Sequence, residues 1–189
     1  MDALGPLHPV IVHTPVALLV FSAFFAIVGR LFDRDWVRKA SVLLLVFGFL
    51  GAFAAVRSGA VAHRVPEHRQ GVPEEAIDDH AEMGRYTLYV SGAAIVVFAL
   101  ATRLSGSAAA AVSAIALLLQ IAAAVLVGIT GYRGGRLVYE HGANVTIGGQ
   151  LVHDVATAGR VQRDEHEGGP PDTNSTVKPA DAGERDDRH

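Results

Sequence analysis

The sequence predicts an all-α membrane protein: four transmembrane helices in an up-down-up-down bundle, followed by a polar, disordered C-terminal tail. Three observations carry that prediction. Of 189 residues, 50% are hydrophobic and only 19% are charged, with a mean hydropathy of +0.31, a balance that disfavours a soluble globule. Four charge-free stretches approach the roughly 20 apolar residues that a helix needs to cross a bilayer. The connections between them, roughly 11, 25 and 5 residues long, suit antiparallel neighbours, with spans 1 and 3 diagonally opposite and spans 2 and 4 likewise.

The first span covers about 10–28 (VIVHTPVALLVFSAFFAIV). Its start is irregular. If the helix already begins at Pro9, Pro15 frees the carbonyl of Ile11; alternatively Thr14 is the N-cap and Pro15 the first helical residue. The second span covers about 40–59, and on it Gly51, Ala55 and Gly59 repeat at the four-residue spacing of close helix contacts. The third is charge-free from about Tyr86 to Thr102, and with the preceding helical turn covers about 81–102. Its helix starts either in the preceding loop at Val72-Pro73-Glu74-Glu75, or at a capping box formed by Asp79 and Glu82. The fourth covers about 108–132 and is alanine-rich, with Ala124, Gly128, Gly131 and Gly135 as further small contact residues. Gln120, mid-span, is expected to donate a hydrogen bond to another helix.

Residues 1–148 thus form the transmembrane domain and 149–189 the tail, whose stretch from Arg160 onward has the composition of a disordered chain. A cleaved signal peptide is not expected, because no basic segment precedes the first span. Arg30, Arg34, Arg38 and Lys39 lie between spans 1 and 2, and Arg103 lies between spans 3 and 4. The positive-inside rule therefore places both termini and the long loop between spans 2 and 3 outside the cytoplasm.

The chain has no cysteine, which excludes disulfides, thiolate-ligated zinc, iron–sulfur clusters, thiol nucleophiles and covalent c-type haem. A net charge of −3 carries no signature of nucleic-acid binding. Nine histidines remain, and every one falls at the same end of the predicted bundle. His8 and His13 open span 1, His63 and His68 follow span 2, His80 precedes span 3, and His141 follows span 4; His153, His166 and His189 belong to the tail. Imidazole is both a common metal ligand and a haem axial ligand, so this one-ended clustering points to a cofactor site.

His13 lies one turn inside an apolar segment and needs a partner there. His80 sits near the same interface on the diagonal helix. One turn deeper are Ala17 and Gly84, small residues that leave room for a flat macrocycle. His13 and His80 are therefore the expected axial pair of a haem b, with His63 and His141 as a second pair or as hydrogen-bonding groups. Arg57, Arg85, Arg133 and Arg136 would lie at this interface, available to haem propionates or to lipid phosphates. Met83 reads as a gap-filling core residue. Tyr86, Tyr89, Tyr132 and Tyr139 read as an interfacial belt.

Two stretches, Leu7-His8-Pro9-Val10-Ile11-Val12-His13-Thr14-Pro15 and Gly134-Gly135-Arg136-Leu137-Val138-Tyr139-Glu140-His141-Gly142, together resemble the bacterial membrane family known as domain of unknown function 2231. Gly59 and His80 match that family's pattern of a glycine ending helix 2 and a histidine opening helix 3. Thr14 departs from the family's usual phenylalanine. The resemblance covers roughly Leu7 to Val145 and implies a multi-pass protein of the bacterial inner membrane. Relatives are joined to Rieske or cytochrome c modules, which implies an electron-transfer setting outside the cytoplasm and an extracytoplasmic redox partner.

Three functions are therefore weighed. The leading expectation is a bis-histidine b-type haem protein that transfers electrons near the extracytoplasmic face. The second is a cofactor-free scaffold or accessory subunit of a respiratory assembly, whose histidines and arginines only bond across helices and to lipid. The third is a copper or zinc site built from His8, His13, His80 and His141; transport through it would find few polar groups beyond Gln120, Ser22 and Ser113 in the inner halves of the spans. No nucleophile with an adjacent base emerges from spacing, so hydrolysis is not expected.

Overall fold

The computed structural model describes residues 7–62, 72–143, 145–147 and 150–151. The chain enters through a short helix α1 (His8–Ile11) that leads, after a one-residue interruption at Val12, into α2 (His13–Leu31). Three long helices follow: α3 (Asp35–Ala62), α4 (Glu74–Ala101) and α5 (Gly106–Tyr139). A two-residue antiparallel ladder between β1 (Thr146–Ile147) and β2 (Gln150–Leu151) closes the described part. At 1.5 Å per residue a 28-residue helix reaches about 42 Å, beyond a hydrocarbon core of about 30 Å. The 24 residues of the span His8–Leu31, formed by α1 and α2 together, reach about 36 Å, so all four spans carry their ends into the headgroup region.

Both open helix starts resolve in favour of the earlier one. Pro9 stands in the first turn of α1, where its missing N–H costs nothing, and Thr14 lies within α2 instead of capping it. Pro15 is buried against α3: a Cβ on Gly51 would lie 3.2 Å from the Pro15 ring and 3.2 Å from the Thr14 methyl. Pro73 precedes α4, and Glu74 and Glu75 occupy its first turn, where carboxylates complement the helix dipole. Between α2 and α3 the chain reverses through Phe32–Arg34, with Asp33 in the left-handed region at φ 49°, a conformation Asp tolerates because its short side chain bonds locally.

The exterior is apolar and the interior holds small and polar side chains. Phe24, Phe47 and Leu118 are 56%, 57% and 65% exposed, whereas Ser22 and Ser91 are fully buried. That inversion is the pattern of a bundle solvated by lipid, where packing and interhelical hydrogen bonds replace the hydrophobic effect as the adhesive. α2 packs on α3 and α5, and α4 packs on α5 and α3, so α2 and α4 are diagonal as predicted.

Leu19, Leu45, Ala94 and Val127 form the central apolar layer, one residue from each long helix. Leu19 fits over Gly48, at which a Cβ would come within 2.7 Å of its side chain. Beyond this layer, toward the α2–α3 turn, Gln120 donates to the Ser22 hydroxyl and, at 3.4 Å, to the Ser41 carbonyl. Ser22 in turn donates to that same carbonyl at 3.1 Å. Gln120 thus ties three helices together at a depth where an unpaired amide would be costly.

Of the two small-residue patterns, the one on α3 makes contacts within the chain at Gly51 and Gly59, whereas Gly128, Gly131 and Gly135 meet nothing within 4 Å. Their faces are turned away from the other described residues. The tail from 152 onward, including His153, His166 and His189, lies outside the described residues.

Candidate functional site

The histidine end of the bundle is built from the start of α1, the end of α3, the start of α4 and the end of α5. His8 enters because Pro9 begins the helix immediately after it. Its Nδ1 lies 2.8 Å from the Ser58 hydroxyl. That hydroxyl gives its only proton to the Ala55 carbonyl at 3.0 Å, so it accepts from His8, and the Nδ1 carries the proton. The His8 ring rests on Gly59, where a Cβ would stand 3.0 Å from Cε1. The helix-ending glycine of α3 is therefore the floor under His8.

His80, one and a half turns into α4, is fixed in the same way. Its Nδ1 lies 3.0 Å from the Thr130 carbonyl, which can only accept, so this ring too is protonated at Nδ1. A Cβ on Gly134 would approach its Cε1 to 2.9 Å. The Thr130 hydroxyl meets that of buried Thr87 at 3.2 Å. Arg133 donates to the Asp79 carbonyl at 3.2 Å and pairs with its carboxylate at 3.3 Å, closing α5 against the turn that carries His80.

The two rings meet across the diagonal, with centres 6.3 Å apart and planes at 81°. In both, the hydrogen bond at Nδ1 leaves Nε2 as the nitrogen with a free lone pair, the arrangement that orients a histidine for metal ligation. The structure thus pairs His80 with His8, and not with His13. His13 is exposed, and its Nδ1 donates to the Pro9 carbonyl at 2.6 Å within its own turn.

The other expected site residues scatter. Ala17 is exposed, and the space beside Gly84 is met by Val56 and Thr130 at 3.8 and 3.9 Å from a would-be Cβ. Arg57 and Arg85 are exposed on α3 and α4, while Arg136 holds Glu140 at 2.8 Å. His141 follows the end of α5. His63 and His68 lie outside the described residues. Among the described residues, no three His, Asp or Glu side chains gather into a metal cluster, so His8, His13, His80 and His141 do not converge.

Sequence reasoning singled out neither Ser58 nor Thr130. Ser58 carried a signal, as a hydroxyl residue near the end of α3 directly before Gly59; Thr130, well inside α5, carried none. The partner of each became visible only with the bundle assembled.

Four apolar helices that present lipid-facing side chains and enclose small and polar ones define an α-helical multi-span membrane protein. A model of the family described as predicted membrane protein (DUF2231) matches residues 4–147, and the chain belongs to that family. Neither curated proteins nor solved structures gave a match.

Proposed function

We propose that this protein is a b-type haem protein of the membrane that carries electrons near one face of the bilayer, with His8 and His80 as the residues that would hold the haem iron. The observation that supports it is the facing pair itself. Two imidazoles whose ring centres stand about 6 Å apart would be close enough to hold one metal ion between them. His8 and His80 stand at 6.3 Å, each with Nδ1 engaged and Nε2 available.

The donor set fits a group that brings its own equatorial ligands. A tetrahedral zinc or copper centre needs three or four protein ligands, and the described residues supply no such group. When bound, haem would supply a one-electron iron couple. Ser58 and Thr130 hold the ring tautomers, Gly59 and Gly134 allow the rings to seat against the helices, and the Asp79–Arg133 pair fixes the turn around His80. Since Arg133 and Arg136 already hold carboxylates, Arg57 and Arg85 are the arginines left to pair with propionates. A haem that two histidines would hold supports a reading of electron carriage and not substrate turnover. The inner membrane as location, an extracytoplasmic face for this end and a redox partner there belong to the same proposal, supported by the basic residues at the α2–α3 turn.

A cofactor-free scaffold is favoured by a different observation: each ring is already bonded and packed on a glycine, so the histidines also serve as interhelical fasteners. The visible spectrum of protein purified in detergent from haem-replete cells, before and after dithionite, with a pyridine haemochrome count, separates the two. A stoichiometric Soret band with sharp reduced α and β bands is the expected result. Colourless protein would overturn the haem reading and leave the scaffold.

A further inference from the structure

At the end of the bundle opposite the histidines, a cleft of about 850 Å³ is lined by residues from all four long helices. Its rim holds Arg30, Arg38 and Lys39 against the single carboxylate of Asp35, and its wall holds Val42, Leu43 and Phe98. We propose that this cleft binds an anionic phospholipid, with the phosphodiester headgroup at Arg30 and Lys39 and an acyl chain along the apolar wall.

Three features point to that occupant. The first is charge. Arg38 is already committed to Asp33 and Asp35, whereas Arg30 and Lys39 have no ion-pair partner among the described residues and are exposed. The uncompensated positive charge therefore sits at the mouth, where arginine matches a phosphate with a planar fork of donors and lysine supplies a point charge.

The second feature is depth. Arg30 is in the last turn of α2 and Lys39 in the second turn of α3, at the ends of helices long enough to reach the headgroup region. Leu31, Phe32 and Trp36, all more than 65% exposed, lie at the same α2–α3 corner as interfacial anchors, with Phe32 and Trp36 lining a neighbouring apolar groove. The third is the polarity gradient: basic at the rim and apolar along Val42, Leu43 and Phe98, it follows a lipid from headgroup to chain. Basic pockets between transmembrane helices are suited to such headgroups.

Trp36 is the only tryptophan; it follows Asp35 of the rim in the chain and lines the adjoining groove with Phe32 and Val37, so its quenching reads lipid at the α2–α3 corner without a label. The test reconstitutes the full chain in phosphatidylcholine nanodiscs containing increasing fractions of acyl-brominated phosphatidylglycerol or acyl-brominated phosphatidylcholine, and reads Trp36 quenching. The anionic lipid is expected to reach half-quenching at a roughly thirtyfold lower mole fraction, as two basic side chains near a surface provide. Arg30→Gln with Lys39→Gln should abolish the difference. Raising the salt concentration should erode it in the unaltered protein, which needs no variant to fold. Equal quenching by the two lipids, or a preference that survives the double substitution and salt, overturns the proposal. Full reversal by soluble glycerol phosphate overturns it as well, because the headgroup alone would then be the ligand.

Discussion

The imidazoles of His8 and His80 stand 6.3 Å apart across the diagonal of the bundle, and each is locked at Nδ1 by the helix packed beside it: His8 by Ser58 of α3 and His80 by Thr130 of α5. Four helices converge on two rings. The geometry of this end is therefore set by the whole bundle and not by one segment.

Loss of either ring should remove the proposed cofactor, while loss of His13 should not. His8→Ala and His80→Ala are expected to abolish the Soret band of purified protein. His13→Ala should retain it, because His13 is exposed and bonded only within its own turn. A spectrum lost in His13→Ala and kept in His8→Ala would restore the pairing expected from sequence.

Gln120→Leu removes the donor that joins α5 to Ser22 and Ser41 and leaves the Ser22 hydroxyl bonded to the Ser41 carbonyl. Interhelical hydrogen bonds in membranes contribute about 0.6 kcal/mol on average and about 1.7 at most. The variant should lose stability within that range in mixed-micelle unfolding. A larger loss would mean that Gln120 supports more of the bundle than its two partners, Ser22 and Ser41.

Gly29→Ala and Gly131→Ala should differ sharply, although both glycines are helical. A Cβ at position 29 would lie 2.9 Å from the backbone nitrogen of Arg38, which cannot give way without moving the α2–α3 corner; at position 131 it meets nothing within 4 Å. Gly29→Ala is expected to destabilise the protein by about 1–3 kcal/mol. Gly131→Ala should be neutral or should gain up to about 1 kcal/mol of helix propensity. Unfolding of both variants in the same detergent mixture checks the contrast.

Glu140, just beyond α5, has its carboxyl held below the usual carboxylate range, first by the hydrogen bond from Arg136 and further by the charges of Arg136 and His141. A depressed value in the folded state contributes stability above the ordinary glutamate range, and that contribution is lost as pH falls through the depressed value. Arg136→Gln should move the Glu140 carboxyl resonance to a higher titration midpoint in an NMR pH series. An unchanged midpoint would show that the pair at 2.8 Å does not persist in solution.

Hydropathy, connection length and helix punctuation were enough to read four antiparallel spans, because a lipid-facing helix must be apolar along its length and its ends must be marked by charge, proline or glycine. The start of α4 at Glu74 and the interhelical role of Gln120 were legible for the same reason. The shared end of the described histidines, His8, His13, His80 and His141, was legible too, since alternating helix direction assigns each position to an end. Which histidines meet was not. His13 looked the more demanding residue because it lies in an apolar run, but a carbonyl four residues earlier satisfies it locally, and α1 carries His8 onto the end of α3 instead.

By itself the sequence determined the membrane class, the number of spans, their order and the end at which the imidazoles collect, all of which follow from periodicity and transfer free energy along one chain. Only the tertiary structure decided that His8 faces His80 and that Gly59 and Gly134 are the surfaces beneath them. Those relationships depend on the rotation of each helix about its axis. In a bundle whose helices are apolar on almost every side, that rotation is chosen by close contacts between small residues and a few buried hydrogen bonds, not by an amphipathic pattern that could be read beforehand.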